Sequence, residues 1–149
     1  MKLSTKGRYG LRILHDLASH PAETPRVLKE IAAAQGISKK YISRLIIDLR
    51  KAGLVKSVRG AKGGFRLARF PRDISLLEIV EAMEGRVAIV DCVCQPDACL
   101  RIPTCTPRRI WIDLNDQIRA RMAAISLQTL LDQDRRAAAR ARRSACSRT

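Results

Sequence analysis

Cys92, Cys94, Cys99 and Cys105 stand within VDCVCQPDACLRIPTC, residues 90–105, with no histidine among them. Thiolates spaced this closely are soft donors, and they select zinc or iron-sulfur clusters when turns, here around Pro96 and Pro103, let them converge. Structural zinc sites more often pair their ligands as CxxC, a spacing the stretch lacks. That favours a cluster over zinc and leaves a metal-free thiol switch, working through a reversible disulfide, as a further reading. A cysteine nucleophile would need a base beside it. The only histidines, His15 and His20, fall in or at the end of the first helical pattern, and no phosphate loop, paired carboxylates or hydrolase motif occurs. The chain reads as a non-enzyme with no small-molecule substrate.

A chain of 149 residues can bury a core without disulfide staples. Its opening MKLSTKGRYG is polar, and the apolar runs are too short for a membrane span. The expectation is a cytoplasmic, reducing setting, where clustered cysteines are more often metal-binding or redox-active than structural. The net charge is +15, unevenly spread: residues 1–75 carry 17 Lys+Arg against 5 Asp+Glu, residues 76–134 carry 6 against 9, and residues 135–149 add six arginines. A basic front half points to nucleic acid, or less often to an anionic membrane surface.

The elements around the cysteines are helical, with one strand pair. Gly10, Ile13, Leu14, Leu17 and Ala18 recur at helical spacing, and Ser4 or Thr5 can cap that helix. A second helix runs from about Val27 to Gln35 and stops at Gly36. In GISKKYISRLIIDLRKAGLV, Ser38 can cap a third helix, Ile42, Leu45, Ile46 and Leu49 form its buried stripe, and Gly53 suits a left-handed stop. The first turn of this helix carries Lys39 and Lys40, although the positive end of a helix dipole favours acidic residues by about 0.3–1 kcal/mol. An anion outside the chain would compensate. A recognition helix in the major groove would set Lys39, Lys40, Ser43 and Arg44 against phosphates and base edges.

Leu54 to Ala68 reads as a hairpin with a basic tip, RGAKGG. Gly60, Gly63 and Gly64 would let its backbone lie close to a phosphate, and Arg59 or Lys62 could enter the minor groove. Ser75 and Glu78 form a capping box for a packing helix with Leu76, Ile79, Val80 and Met83 on one face and Gly85 as its stop. After the cysteines, Thr106 and Pro107 mark a further start, as N-cap and first helical residue. The stripe Trp111, Leu114, Ile118 and Met122 then follows, suited either to its own domain or to a second copy. The two half-sites of a bacterial operator favour the second copy.

MKLSTKGRYGLRIL, GISKKYISRLIIDLRKAGLVKSVRGAKGGFRL, ISLLEIVEAMEG, the spaced cysteines and RIWIDLNDQI, in this order over residues 1 to about 132, resemble the Rrf-type bacterial transcription regulators of the IscR, NsrR and RirA kind. The resemblance implies a homodimeric winged helix-turn-helix repressor or activator. It would bind a double-stranded DNA operator and sense iron, oxidants or nitric oxide through an iron-sulfur cluster, [2Fe-2S] or [4Fe-4S]. It assigns DNA contact to Lys39, Lys40, Tyr41, Ser43 and Arg44, and wing contact to Arg59, Gly60, Lys62 and Gly63. It also makes Cys92, Cys99 and Cys105 the cluster ligands, with Cys94 an addition to the pattern. Where some relatives place a histidine as fourth ligand this chain has Arg108, and where others place an aspartate it has Arg8.

The expected fold class is mainly α with a small β-wing. Residues 1–85 form the DNA-binding domain, 86–105 the cluster-binding loop, 106–132 the dimerisation helix with a short C-terminal helix, and 133–149 a disordered basic tail. The runner-up reading is a nucleic-acid-binding structural protein whose cysteines hold zinc or a disulfide.

Overall fold

The computed structural model describes residues 3–60 and 62–146, with side chains to residue 141. Seven helices and one hairpin follow in order: α1 (Thr5–Ala18), α2 (Leu28–Gln35), α3 (Lys39–Lys51), β1 (Val55–Val58), β2 (Gly64–Leu67), α4 (Leu76–Glu84), α5 (Asp91–Cys94), α6 (Pro107–Ala124) and α7 (Leu127–Cys146). Ser4 caps α1 through Lys6 N–H, Ser38 caps α3 through Tyr41 N–H, and Ser75 with Glu78 closes the capping box of α4. Gly36 and Gly53 take the left-handed conformation after α2 and α3, with φ of 65° and 70°.

The stripes of α1, α3 and α4 meet in one core. Ile13, Leu14, Ile31, Ile42, Leu45, Ile46, Leu49, Leu54, Ile74 and Ile79 are all fully or nearly fully buried in it. Helices α1 and α4 approach so closely that a Cβ on Gly10 would lie 2.5 Å from Met83 Cγ, which explains a glycine in the middle of an apolar stripe.

The hairpin is antiparallel, with Val55 opposite Leu67 and Val58 opposite Gly64. It gains a third, one-residue rung: Arg26 N–H donates to Phe65 O at 2.9 Å, and Phe65 N–H donates to Arg26 O at 2.8 Å. A second rung ties the C-terminal helices back. Leu76 N–H donates to Ile125 O at 2.7 Å, and Leu127 N–H donates to Ile74 O at 2.8 Å, which places Leu127 in the main core. Among the described residues no helix is long and apolar enough to cross a membrane.

Three expectations are corrected. Thr106 makes no side-chain cap for α6, because the chain enters from a 3₁₀ turn at Ile102–Thr104 and Thr106 is already helical. The stripe of α6 is split: Ile118 and Met122 pack on Val80 and Val87, whereas Trp111 and Leu114 stay exposed. The segment expected to be a disordered tail from residue 133 continues α7 as far as Cys146. Its run of alanine and arginine is strongly helix-forming, and Asp134 meets His15 of α1 at 2.7 Å. Residues 147–149 of that segment, and the side chain of Cys146, lie outside the described residues.

Candidate nucleic-acid interface and cysteine segment

The two longest helices of the front half solve the same problem differently at their N-termini. Neither α1 nor α3 has an acidic residue in its first turn. In α1 a distant carboxylate supplies one: Glu84 Oε1, at the end of α4, accepts from Gly7 N–H at 2.7 Å and from Ser4 Oγ at 2.6 Å. The Ser4 hydroxyl is the leading cause holding Glu84 below the ordinary 4.5, and it acts with the Gly7 and Ser4 amides and Lys6 against the opposing effect of burial. No such group reaches α3. Its first turn presents Lys39 and Lys40 to solvent, and neither they nor Arg44 form an ion pair among the described residues.

On the helix surface Lys40, Ser43 and Arg44 share a face, because residues three and four apart are neighbours. Tyr41 lies on the flank of that face, beside Arg44, and is half-buried. It packs against the core, with its ring edge-on to Tyr9 at 6.1 Å between centroids, so packing holds it in place. The third helix therefore brings together Lys39, Lys40, Ser43 and Arg44, with Tyr41 half-buried at their edge.

The wing carries Arg59 and Lys62, both exposed, on a tight turn closed by Gly63 N–H to Gly60 O at 2.9 Å. Gly60 has φ of 106°. A Cβ on Gly63 would lie 2.4 Å from Val58 O and 2.8 Å from Gly60 O, both backbone atoms. Glycine is needed there to close the turn, which in turn sets where Arg59 and Lys62 project.

The cysteine segment begins well anchored and ends loose. Glu81 pairs with Arg119 of α6 and accepts from Val87 N–H at 3.0 Å, while Arg119 donates to Val87 O at 3.3 Å. Burial pushes the Glu81 carboxyl up, but the hydrogen bonds from Arg119 and Val87 and the nearby charges of Arg119 and Arg86 outweigh it and hold the group below 4.5. Asn115, the one buried polar side chain among the described residues, accepts from Ile89 N–H at 3.3 Å. Arg108 Nε donates to Cys92 O at 2.9 Å. Sequence reasoning missed Glu81, Asn115 and Arg119, since polar residues within apolar stripes give no signal until their partners are known.

The thiols of Cys92, Cys94, Cys99 and Cys105 are free; Cys99 is exposed and the other three are half-buried. Cys92 and Cys94 lie on the single turn of α5, about 160° apart around its axis, so they do not share a face. Among the described residues no three Cys, His, Asp or Glu side chains converge on a metal position. The donor chemistry suits an iron-sulfur cluster, but this arrangement of the segment does not gather Cys92, Cys99 and Cys105 into a ligand set.

A helix-turn-helix followed by a two-stranded basic wing defines a winged-helix DNA-binding regulator. Residues 3–133 match the model of the Rrf2 family, described as an iron-dependent transcriptional regulator. The chain is 40% identical over 131 residues to protein rrf2 of Nitratidesulfovibrio vulgaris (strain Hildenborough), covering 88% of this chain and 87% of that protein. Among solved structures it is similar to CymR, the global cysteine regulator of B. subtilis. That match has a TM-score of 0.76 and 36% identity, and covers 89% of this chain and 98% of the other. It is also similar to IscR of T. potens, with a TM-score of 0.72 and 40% identity over 90% and 88% of the two chains. The chain belongs to the Rrf2 family and is a DNA-binding transcription regulator, not an enzyme.

Proposed function

We propose that a homodimer of this chain binds a double-stranded DNA operator through Lys39, Lys40, Ser43 and Arg44 of α3 and through Arg59, Lys62 and the Gly60 and Gly63 turn of the wing. The observation that carries the reading is the contrast between two helix ends: Glu84 neutralises the start of α1, whereas the start of α3 offers a capped backbone and two lysines that form no ion pair among the described residues. A phosphate supplies the missing negative charge. The dimer is supported by Ile110, Trp111 and Leu114, which leave one side of α6 apolar and exposed. The test uses operator fragments selected from a random pool. Alanine at Lys39, Lys40 or Arg44 is expected to weaken binding, and removing one phosphate-binding cation lowers the salt slope by about one unit. Unchanged affinity and slope in all three variants would refute the assignment.

The segment 86–105 is the sensor in this reading, in a cytoplasmic protein whose thiols stay reduced. Cys92, Cys99 and Cys105 would hold an iron-sulfur cluster, which supplies redox- and ligand-sensitive iron when bound. Glu81, Arg108, Asn115 and Arg119 tie the start of the segment to α4 and α6, so a change in the thiols is felt where α6 meets the DNA-binding domain. A metal-free thiol switch is favoured by a separate observation, that the four thiols are free and Cys99 is exposed to an oxidant. Anaerobic protein with stoichiometric iron and sulfide, and with visible absorbance lost in each of C92A, C99A and C105A, supports the cluster. Iron-free protein in which oxidation joins two of these cysteines supports the switch.

A further inference from the structure

A cavity of about 560 Å³ opens between the end of α1, strand β2 and α7. Its volume lies within the range of small-molecule sites, roughly 300–1,000 Å³. Leu17 and Leu131 give it apolar walls from two different elements. The charge around it has one sign: Lys56, Arg66, Arg69 and Arg135 line it, and no aspartate or glutamate does.

Two of these cations are already neutralised. Arg69 pairs with Glu78, and Arg135 lies 3.6 Å from Asp132. The other two are not. Lys56 forms no ion pair among the described residues. Among the described residues Arg66 donates only a long 3.4 Å bond to Ala22 O, and its Nε is buried without a hydrogen-bond partner. Lys56 and Arg66 also sit directly opposite each other across the hairpin. Like charges in that position repel, and a buried guanidinium N–H is expected to find an acceptor. A carboxylate or phosphate between them would answer both, since the guanidinium fork matches either group.

We propose that this cavity is an effector site for a small organic anion, a carboxylate or phosphate joined to an apolar body, with the charged end between Lys56 and Arg66 and the body against Leu17 and Leu131. A DNA phosphate shares the charge but has nothing to place against those two side chains. Because β2 runs from the wing tip into the cavity wall and α7 forms the facing wall, the ligand bridges the wing to the C-terminal helix. Its effect on operator affinity rests on the DNA reading above; its binding does not.

The experiment titrates the full chain, without DNA, with 4-phenylbutyrate, octanoate and phenyl phosphate, and with 4-phenylbutylamine and inorganic phosphate as controls. At least one of the three amphiphilic anions is expected to bind saturably at one per chain, at least tenfold tighter than the amine or inorganic phosphate. R66M and K56Q should each weaken that binding, R66M by tenfold or more, while D116N, at an exposed position of α6 away from the cavity, leaves it unchanged. L131E should abolish it. Lys56 is exposed, so K56Q tests the site even where L131E fails to fold. Absence of saturable binding by all three anions, equal binding of the amine, or unaltered affinity in both R66M and K56Q overturns the site. Inorganic phosphate binding as tightly as the amphiphiles, with displacement by operator DNA, overturns it in favour of a backbone-phosphate contact. Operator affinity is then measured with and without the bound anion. A constant affinity overturns the regulatory role alone, and absence of operator binding under every condition counts against the DNA reading while leaving the anion site standing.

Discussion

Glu84 is the last residue of α4, where its negative charge opposes that helix's own dipole, yet it accepts two hydrogen bonds from the start of α1. Replacing it with glutamine removes the charge and keeps the size. A hydrogen bond to a charged group contributes about 1.5–3 kcal/mol, and because this carboxylate remains partly in water the lower end applies, about 1–2 kcal/mol in all for E84Q. For a chain of this length that is a fall of roughly 2–8 °C in melting temperature at fixed protein concentration. The pH dependence gives the sharper test. The folded protein holds Glu84 below 4.5, so its contribution is present above that value and fades as pH falls through the folded one. Urea unfolding of wild type and E84Q should differ at pH 7 and converge once the pH lies below the lowered pKa of the folded carboxyl. A difference that is the same at both pH values would refute an ionised contact, and G7A should reproduce the neutral-pH loss, because its Cβ would lie 2.6 Å from Glu84 Oε1.

G63A places a methyl group against two backbone carbonyls, so the wing turn must open. Operator affinity is expected to drop while helical circular dichroism is retained, and a fully active G63A would show that the turn does not position Arg59 and Lys62. L114D charges the exposed face of α6. Leu114 keeps 40% of its surface exposed, and covering that remainder on both protomers contributes about 1–2 kcal/mol, so dimer dissociation measured by sedimentation should rise roughly tenfold or more. An unchanged sedimentation profile would place the dimer contact elsewhere. N115A removes the acceptor of Ile89 N–H, at about 1 kcal/mol, and should speed amide exchange across residues 86–94 without lowering protection in α3; uniform loss of protection would make Asn115 a general core residue instead.

Much of the front half was legible in the residue order. Ser4, Ser38 and the Ser75–Glu78 box cap the helices they precede, and Ile42, Leu45, Ile46 and Leu49 are the buried face of α3. These follow from local rules: a hydroxyl reaches an amide two or three residues on, and a 3.6-residue period puts those four side chains on one side. The hairpin between Leu54 and Ala68 is local in the same sense, since a glycine-rich turn and two alternating strands need no distant partner.

What lay beyond the sequence is whatever depends on contact between residues far apart in it. The carboxylate at the start of α1 comes from 77 positions away, and the backbone rung that brings Arg26 to Phe65 joins segments with no shared periodicity. Only packing separates Ile118 and Met122, which find Val80 and Val87, from Trp111 and Leu114, which find solvent, although all four lie on one helical stripe. The alanine- and arginine-rich end of the chain reads as unstructured because it has no apolar stripe, yet it is helical after Leu127 is buried and Ser126 is bridged to Ser75, since a nucleated helix needs only propensity to extend. The cysteines divide the same way. Their type and spacing name a chemistry, but whether Cys92 and Cys94 can act together is decided by one turn of helix that sets them on opposite sides.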